Sequence, residues 1–318
     1  MDGNVIVGQS GGPTSVINSS LAGVYKTAID RGAKKVYGML HGIKGLLDGQ
    51  YVDLSEKINS TMDIDLLKRT PSSYLGSCRY KLPEISEDRE TFDKIFKILD
   101  DLDIKYFFYI GGNDSMDTIK KLSDYAIVTG SDIKFMGVPK TIDNDLAVTD
   151  HTPGFGSAAK FIAATMKEII RDGLVYDYPT ITIVEIMGRN AGYIALWCGI
   201  ANGAEDILLP EKYDYDEQKI INNIIENRRK GKKHHIIVNA EGIGHSTSMA
   251  RRIEAATGIE TRATILGHMQ RGGSPTCKDR VYASTMGALA VDLLCEGKTN
   301  RVVGYRHGDF VDYDIDEA

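Results

Sequence analysis

Short apolar runs alternate along the chain with longer stretches in which apolar residues recur every three or four positions. Val5-Ile6-Val7-Gly8 reads as a strand that ends in Gly11-Gly12-Pro13-Thr14. The spacing of Val16, Leu21, Val24 and Ile29 predicts a helix after that loop. Residues 35–38 read as a further strand, 92–102 as a helix, and 106–110 as a strand ending in Gly111-Gly112. Helix is expected over 115–123, strand over 135–139 and helix over 155–170. The alternation continues with strands at 180–186, 206–209 and 235–239, and helices at 191–200, 216–229 and 249–257.

The strands are nearly continuous apolar runs, which is what strands buried on both faces require. Strand and helix in strict alternation predict an α/β fold with parallel sheets. At roughly 150 residues per domain, 318 residues make one large or two medium domains. Two doubly wound domains are preferred over a closed barrel. The chain shows no internal repeat, low-complexity tract or linker.

Composition changes this picture at a few points only. The net charge of −6 argues against a dedicated nucleic-acid binder, while leaving room for a local basic cleft that takes phosphate. The 33 glycines are not periodic and cluster in turns between the apolar runs. Cys78, Cys198, Cys277 and Cys295 lie far from any C-x-x-C spacing, so a reduced, cytoplasmic protein without disulfides or a zinc knuckle is expected. The N-terminus opens directly on an apolar strand, without the basic n-region and cleavage site of a signal peptide. No uncharged apolar run is long enough to span a membrane.

The candidate chemistry sits where strands end, the place at which doubly wound folds bind ligands. Four such ends stand out: Gly11-Gly12-Pro13-Thr14, Gly111-Gly112-Asn113-Asp114-Ser115, Lys140 to Asp145, and Met187-Gly188-Arg189. Neither glycine loop has the dinucleotide or P-loop spacing. Each is either a tight turn or a set of backbone N–H groups presented to an anion ahead of a helix. Asp143 and Asp145 form either an Asx-turn network or a proton acceptor beside a Mg²⁺ ligand. Lys140 is a point charge suited to phosphate. Arg79, Arg189, Arg262 and Arg271 stand in Gly/Ser/Thr-rich segments, where they are either solvated or recruited to anions. His268 is either a sugar-phosphate contact or a satisfied structural histidine.

Taken in order, these motifs resemble the phosphofructokinase family over nearly the whole chain. The resemblance rests on Gly111 to Ser115, on Thr141-Ile142-Asp143-Asn144-Asp145, on Met187-Gly188-Arg189, and on Glu260-Thr261-Arg262 through Leu266 to Gly273. It implies two doubly wound three-layer αβα domains with the active site between them. The activity it implies is phosphoryl transfer to the 1-hydroxyl of fructose 6-phosphate. Asp143 then matches the catalytic base and Asp145 the carboxylate beside it. Thr141, Met187, Gly188, Glu241, His268 and Arg271 match positions that hold the sugar phosphate, and Arg189 one near the transferring phosphoryl group. Gly11, Gly12, Arg79, Gly112, Asn113, Asp114 and Ser115 match the donor site. Arg262 matches an arginine that completes the neighbouring subunit's site, so a homodimer or homotetramer is implied.

Two departures from glycine bear on the donor. ATP-using members resemble one another in having glycine where this chain has Asp114 and Lys140, whereas Asp and Lys resemble the pyrophosphate-dependent branch. A carboxylate at 114 repels an α-phosphate, and Lys140 neutralises the terminal phosphate of a short donor. Pro13 and His41 also differ from the usual ATP-branch residues. The resemblance therefore implies a Mg²⁺-dependent, pyrophosphate-using, reversible enzyme of glycolysis. The alternatives are an ATP-dependent 6-phosphofructokinase and a catalytically inactive sugar-phosphate-binding subunit.

Other departures adjust the details. Asn113 stands where the family usually has a metal-binding aspartate, which leaves Asn113, Asp114 and Asp145 as the metal candidates. Thr180 replaces an arginine contributed across the subunit interface. Leu21 and Tyr25 replace effector-site arginines, so the enzyme is expected to be non-allosteric. The donor-binding domain is expected over 1–154 plus 270–302, and the fructose 6-phosphate domain over 155–269 plus 303–318.

Overall fold

A computed structural model describes residues 1–212 and 215–317. Among these residues, eleven strands and ten α-helices follow one another in two compact units. Of the described residues, the first unit comprises 1–141, 146–157 and 274–317, and the second 142–145, 158–212 and 215–273.

In the first unit, β1 (Asn4–Gln9) leads through α1 (Ile17–Asp30) to β2 (Val36–Met39), α2 (Gly42–Leu47) and β3 (Tyr51–Asp53). Helices α3 (Thr61–Arg69) and α4 (Arg89–Asp101) precede β4 (Ile104–Gly111), α5 (Asn113–Thr129) and β5 (Lys134–Pro139). The long helix α6 (Phe155–Leu174) then carries the chain into the second unit, built from β6 (Thr180–Ile186), α7 (Tyr193–Asn202), β7 (Asp206–Leu208), α8 (Glu217–Arg229), β8 (His234–Ala240), α9 (Ser246–Thr257) and β9 (Glu260–Ile265). Helix α10 (Cys277–Cys295), β10 (Arg301–Arg306) and β11 (Asp309–Asp314) return to the first unit.

The first sheet has the order β11-β10-β5-β4-β1-β2-β3. Its inner strands are parallel, with β3 and β11 antiparallel at the edges. Alternate residues of each inner strand feed two separate cores, because side chains on a strand point to opposite faces. Ile6, Phe107, Tyr109 and Phe135 pack with residues of α2, α4 and α5. Val5, Val7, Phe108, Ile110, Met136 and Val138 pack with residues of α1, α3 and α10. Both faces being covered, the strands read as continuous apolar runs. Helices α1 and α10 approach so closely that a Cβ on Gly23 would lie 2.2 Å from the Ser284 carbonyl oxygen, and one on Gly287 2.4 Å from that of Ser20. Only glycine permits that crossing.

The second sheet is wholly parallel, in the order β7-β8-β6-β9. Ile181, Ile183 and Ile237 pack with α8 and α9 to form one core. Among the described residues, no helix is long and apolar enough to cross a membrane.

The sequence-based boundaries need correction at several points. Residues 142–145, with Asp143 and Asp145, and 270–273 belong to the second unit, and 155–157 to the first. Residues 303–317 also belong to the first unit, because β10 pairs in parallel with β5 and β11 closes a hairpin on β10. Residue 318 lies outside the described residues. The hairpin turns on His307 and Gly308, both at positive φ (53° and 98°), as a two-residue turn with the strands' twist requires. Its second strand carries Asp309, Asp312 and Asp314 and lies at the sheet edge, so it lacks the apolar run that marks the others.

Candidate active site

In the first unit the sheet order reverses beside β1, whose neighbours are β2 on one side and β4 on the other. The carboxyl ends of β1, β4 and β5 therefore lie side by side at a topological switch point. These ends carry Gly11-Gly12, Gly112 to Ser115, and Lys140. Ser10 donates its backbone N–H to the Ile110 carbonyl (3.0 Å) and Lys140 donates its own to Gly111 (2.8 Å), which fixes the three loops to one another.

Lys140 is the centre of this half. Its side chain is only 2% exposed. The ammonium donates to the Gly12 carbonyl at 2.8 Å and lies 3.3 Å from where a Cβ on Gly11 would stand. Gly11 itself is at φ +76°, and its carbonyl and N–H are tied to Ser77 Oγ (2.5 Å) and the Cys78 carbonyl (3.0 Å). The segment ahead of exposed Arg79 is thus fastened to the first glycine loop.

Helix α5 begins directly after Gly112, with Asn113, Asp114 and Ser115 in its first turn. No side chain caps it, the arrangement in which a helix start can present backbone N–H groups to an anion. Gly111 is obligatory here, because a Cβ would fall 1.8 Å from Ser115 Oγ. Ser115 Oγ in turn touches Ser10 Oγ. The Asp114 carboxylate pairs with Lys81 at 3.1 Å, so a negative charge flanks the helix start. Nothing in the sequence pattern marks Ser10 or Lys81, although Ser10 directly precedes the glycine pair, and that position is the one signal that could have found it.

In the second unit β6 lies between β8 and β9, so the segments after these three strands are neighbours. They are Met187-Gly188-Arg189, Glu241, and the 3₁₀ turn Gly267–Arg271 that holds His268 and Arg271. One carboxylate oxygen of Glu241 accepts the N–H groups of both Gly188 and Arg189, each at 3.1 Å. Arg189 is thereby held at φ +52°, a left-handed conformation unusual for a side-chain-bearing residue. Glu241 therefore anchors the arginine loop through its main chain. Gln270 does the same for Met187. Buried to 2% exposure, it accepts from the Met187 N–H (3.2 Å) and donates to the Gly267 carbonyl (2.9 Å). Gln270 stands inside one of the family-like motifs, yet its sequence context assigns it no role. A glutamine reads the same in sequence whether it serves ligand or main chain.

Asp143 and Asp145 belong to this second unit. Burial raises the Asp143 carboxyl above the usual carboxylate range, and the Asp145 charge raises it further. Arg271 and Arg189 pull it back, and Glu241 raises it again. The carboxylate is thus partly desolvated and balanced among two cations and two anions. This is the environment in which a carboxylate becomes a stronger base.

The remaining candidates lie apart from these clusters. Thr141 ends the first unit, where its N–H reaches the Pro153 carbonyl at 3.2 Å and it bridges to Gly154. Arg262 on β9 is engaged within its own chain, by Glu260 at 2.6 Å, by Asp172 at 3.6 Å and by the Tyr176 ring at 5.6 Å. Of the metal candidates, Asn113 and Asp114 are in the first unit and Asp145 in the second. Among the described residues no group of three or more His, Cys, Asp or Glu is arranged to hold a metal by itself. That donor chemistry still fits Mg²⁺, which takes one or two carboxylates and completes its shell with water and substrate phosphates.

Comparison with known proteins agrees with this arrangement. The model for the family described as Phosphofructokinase matches residues 4–294. A protein of Clostridium botulinum named ATP-dependent 6-phosphofructokinase is 40% identical over 309 residues, which is 97% of this chain and 91% of that protein. A protein of the same name from Clostridium acetobutylicum has the same identity and coverage. Among solved structures, pyrophosphate-dependent phosphofructokinase from Marinobacter aquaeolei is 32% identical with a TM-score of 0.88, over 98% of this chain and 82% of that one. That from Nitrosospira multiformis is 30% identical with a TM-score of 0.89, over 99% and 83%. Fold, motif order and relatives agree, and the chain belongs to the phosphofructokinase family.

Proposed function

We propose that the protein transfers the terminal phosphoryl group of pyrophosphate to the 1-hydroxyl of fructose 6-phosphate, giving fructose 1,6-bisphosphate and phosphate. The observation that carries this reading is Lys140, a buried ammonium held 2.8 Å from the Gly12 carbonyl beside the glycine loop. Asp114, in the first turn of α5, supports it. A desolvated cation at the end of a short loop suits a donor with two phosphates. A carboxylate at the helix start opposes a longer, more highly charged one.

In this reading the first unit holds the donor. Lys140 and the first N–H groups of α5 bind the phosphate oxygens and orient the bridging bond. The second unit holds the sugar. His268 and Arg271 take its 6-phosphate, with Arg262 completing the site of a neighbouring copy. Glu241 and Gln270 hold Met187-Gly188-Arg189 in place for the same sugar. The Asp143 carboxylate accepts the proton of the 1-hydroxyl as the new oxygen–phosphorus bond forms. The bridging bond breaks and its electron pair leaves on phosphate. Sugar hydroxyls are weak nucleophiles, so the raised basicity of Asp143 is useful in this step. Arg189 offsets charge on the transferring group. Asp145 would hold Mg²⁺, which when bound supplies charge neutralisation for the phosphate oxygens. Because the chemical step uses groups that work in either direction, the transfer is reversible.

A second reading is ATP as the donor, and the names of the clostridial relatives favour it. An assay of the purified protein with each donor, after enzymatic removal of contaminating pyrophosphate from the ATP stock, separates the two. Turnover with pyrophosphate and little with ATP is expected. Turnover with ATP alone would overturn the donor assignment, and turnover with neither would favour the inactive sugar-phosphate-binding subunit.

A further inference from the structure

Away from the strand-end loops, the first unit carries a second concentration of positive charge. An open cavity of about 420 Å³ is lined by Asp65, Lys68 and Arg69 of α3 and by Cys277, Arg280 and Ser284 of α10. Three cations face one carboxylate there, in a chain whose net charge is −6. Two other arginines of this unit are paired with carboxylates: Arg31 with Asp292 at 2.8 Å, and Arg301 with Asp312. Lys68, Arg69 and Arg280 have no carboxylate oxygen within 4.0 Å among the described residues. Arg69 donates only to the carbonyl of Asp65 (3.1 Å). The Arg280 Nε–H is buried with no hydrogen-bond acceptor.

Helix dipoles explain part of this arrangement. Lys68 and Arg69 stand in the last turn of α3, where cations are favourable. Arg280 stands near the start of α10, where a cation is unfavourable. The acid of that first turn, Asp279, does not relieve it. Asp279 is fully buried, and its carboxylate is taken up by His151 Nε2 (2.8 Å) and by the Ser157 N–H and hydroxyl (2.6 and 2.5 Å). A partly buried guanidinium that opposes a dipole and lacks an acceptor is costly unless something anionic occupies the cavity.

We propose that this cavity is a binding site for a small phosphorylated anion, either free phosphate or a phosphate monoester, separate from the donor loop. Lys68, Arg69 and Arg280 supply the charge, and the start of α10 supplies neutral backbone donors. The site is connected to the donor loop through a run of side-chain and main-chain hydrogen bonds. The Lys68 carbonyl accepts from Ser19 Oγ (2.7 Å), the Thr70 carbonyl from Asn18 Nδ2 (3.0 Å), and Asn18 Oδ1 from Gln9 Nε2 (3.0 Å). Ser72 N–H reaches the Thr14 carbonyl at 3.1 Å. An anion that fixes the end of α3 therefore stiffens the segment that leads to Gly11 and Arg79.

Calorimetric titration with inorganic phosphate and with glycerol 3-phosphate tests the site. It uses the full-length protein in the Lys140→Ala background, so that the donor loop does not contribute. At least one probe is expected to bind. Adding Lys68→Ala with Arg69→Ala is expected to weaken it by at least about tenfold, the scale of losing charge-assisted hydrogen bonds. Arg280→Gln, which keeps a side chain of similar length, is expected to weaken it in the same way. Tighter binding of the ester would identify an organic phosphate as the occupant, and equal or weaker binding would identify inorganic phosphate. Absence of binding by both probes, or an affinity unchanged by Lys68→Ala with Arg69→Ala, would overturn the proposal.

Discussion

Lys140 and Asp143 lie three residues apart in the sequence, and the two units treat their charges in opposite ways. Lys140 is sealed from solvent, with its ammonium on a backbone carbonyl beside a glycine loop that steric contacts fix in place. Asp143 lies in the second unit. Its basicity comes from a balance of partial burial, Asp145, Arg271, Arg189 and Glu241. The donor half fixes one charge by shape, and the acceptor half tunes another by its neighbours. Shape is broken abruptly by a single added atom, whereas a charge balance shifts gradually as each neighbour is removed.

The largest effect is expected where the tuned charge itself is removed. Asp143→Asn should lower kcat by at least about 10²-fold, measured in a coupled assay. The same variant should be at least as stable at neutral pH as the parent, measured by thermal unfolding. The sign follows from the raised folded-state pKa: the ionised carboxylate opposes folding above the unfolded pKa, and the neutral amide does not. A less stable Asp143→Asn protein would mean that the carboxylate is a structural anchor.

Shape in the donor half is tested by two smaller changes. Lys140→Met keeps the length of the chain and removes the charge. It should raise KM for pyrophosphate by at least about tenfold while leaving KM for fructose 6-phosphate within about twofold. Equal changes in both constants would show that Lys140 acts through the fold. Gly111→Ala should destabilise the protein by about 1–3 kcal/mol, because its Cβ would fall 1.8 Å from Ser115 Oγ. Wild-type unfolding for this variant would contradict the packing described.

The smallest effect is a displacement of the pH profile. Asp143 must be ionised to accept a proton, so kcat/KM falls on the acid side as it protonates. Asp145→Asn removes a charge that raises the Asp143 pKa, and should move the acid limb to lower pH. Arg271→Gln removes a charge that lowers it, and should move that limb to higher pH, in addition to weakening sugar-phosphate binding. An acid limb unmoved by both variants would assign it to another group.

The same contrast explains what could be read from the sequence. Inner strands were legible because both faces are buried, and residues 180–186 form β6 as the apolar run predicts. Helix α10 was not legible, because Ala283, Met286, Gly287, Ala290, Val291, Leu293 and Leu294 bury it on more than one side and leave no clear stripe. Strand β9, Glu260–Ile265, is mostly polar and was read only as a motif. In the site, residue identities at strand ends were visible as glycine pairs and clustered carboxylates. What those residues do to one another was not. Burial of Lys140, the double backbone grip of Glu241 on Gly188 and Arg189, and the Gln270 bridge all depend on segments distant in sequence. A lysine that follows a strand looks the same in sequence whether it faces water or a carbonyl.

The donor assignment rests on Asp114 and Lys140 together, and the ratio of kcat/KM for pyrophosphate to that for ATP tests it most directly. That ratio, measured for the parent and for Asp114→Gly with Lys140→Gly, should fall by at least about tenfold in the double variant, the scale of losing a charge-assisted contact to the donor. An unchanged ratio, with both proteins folded and turning over, would contradict the account.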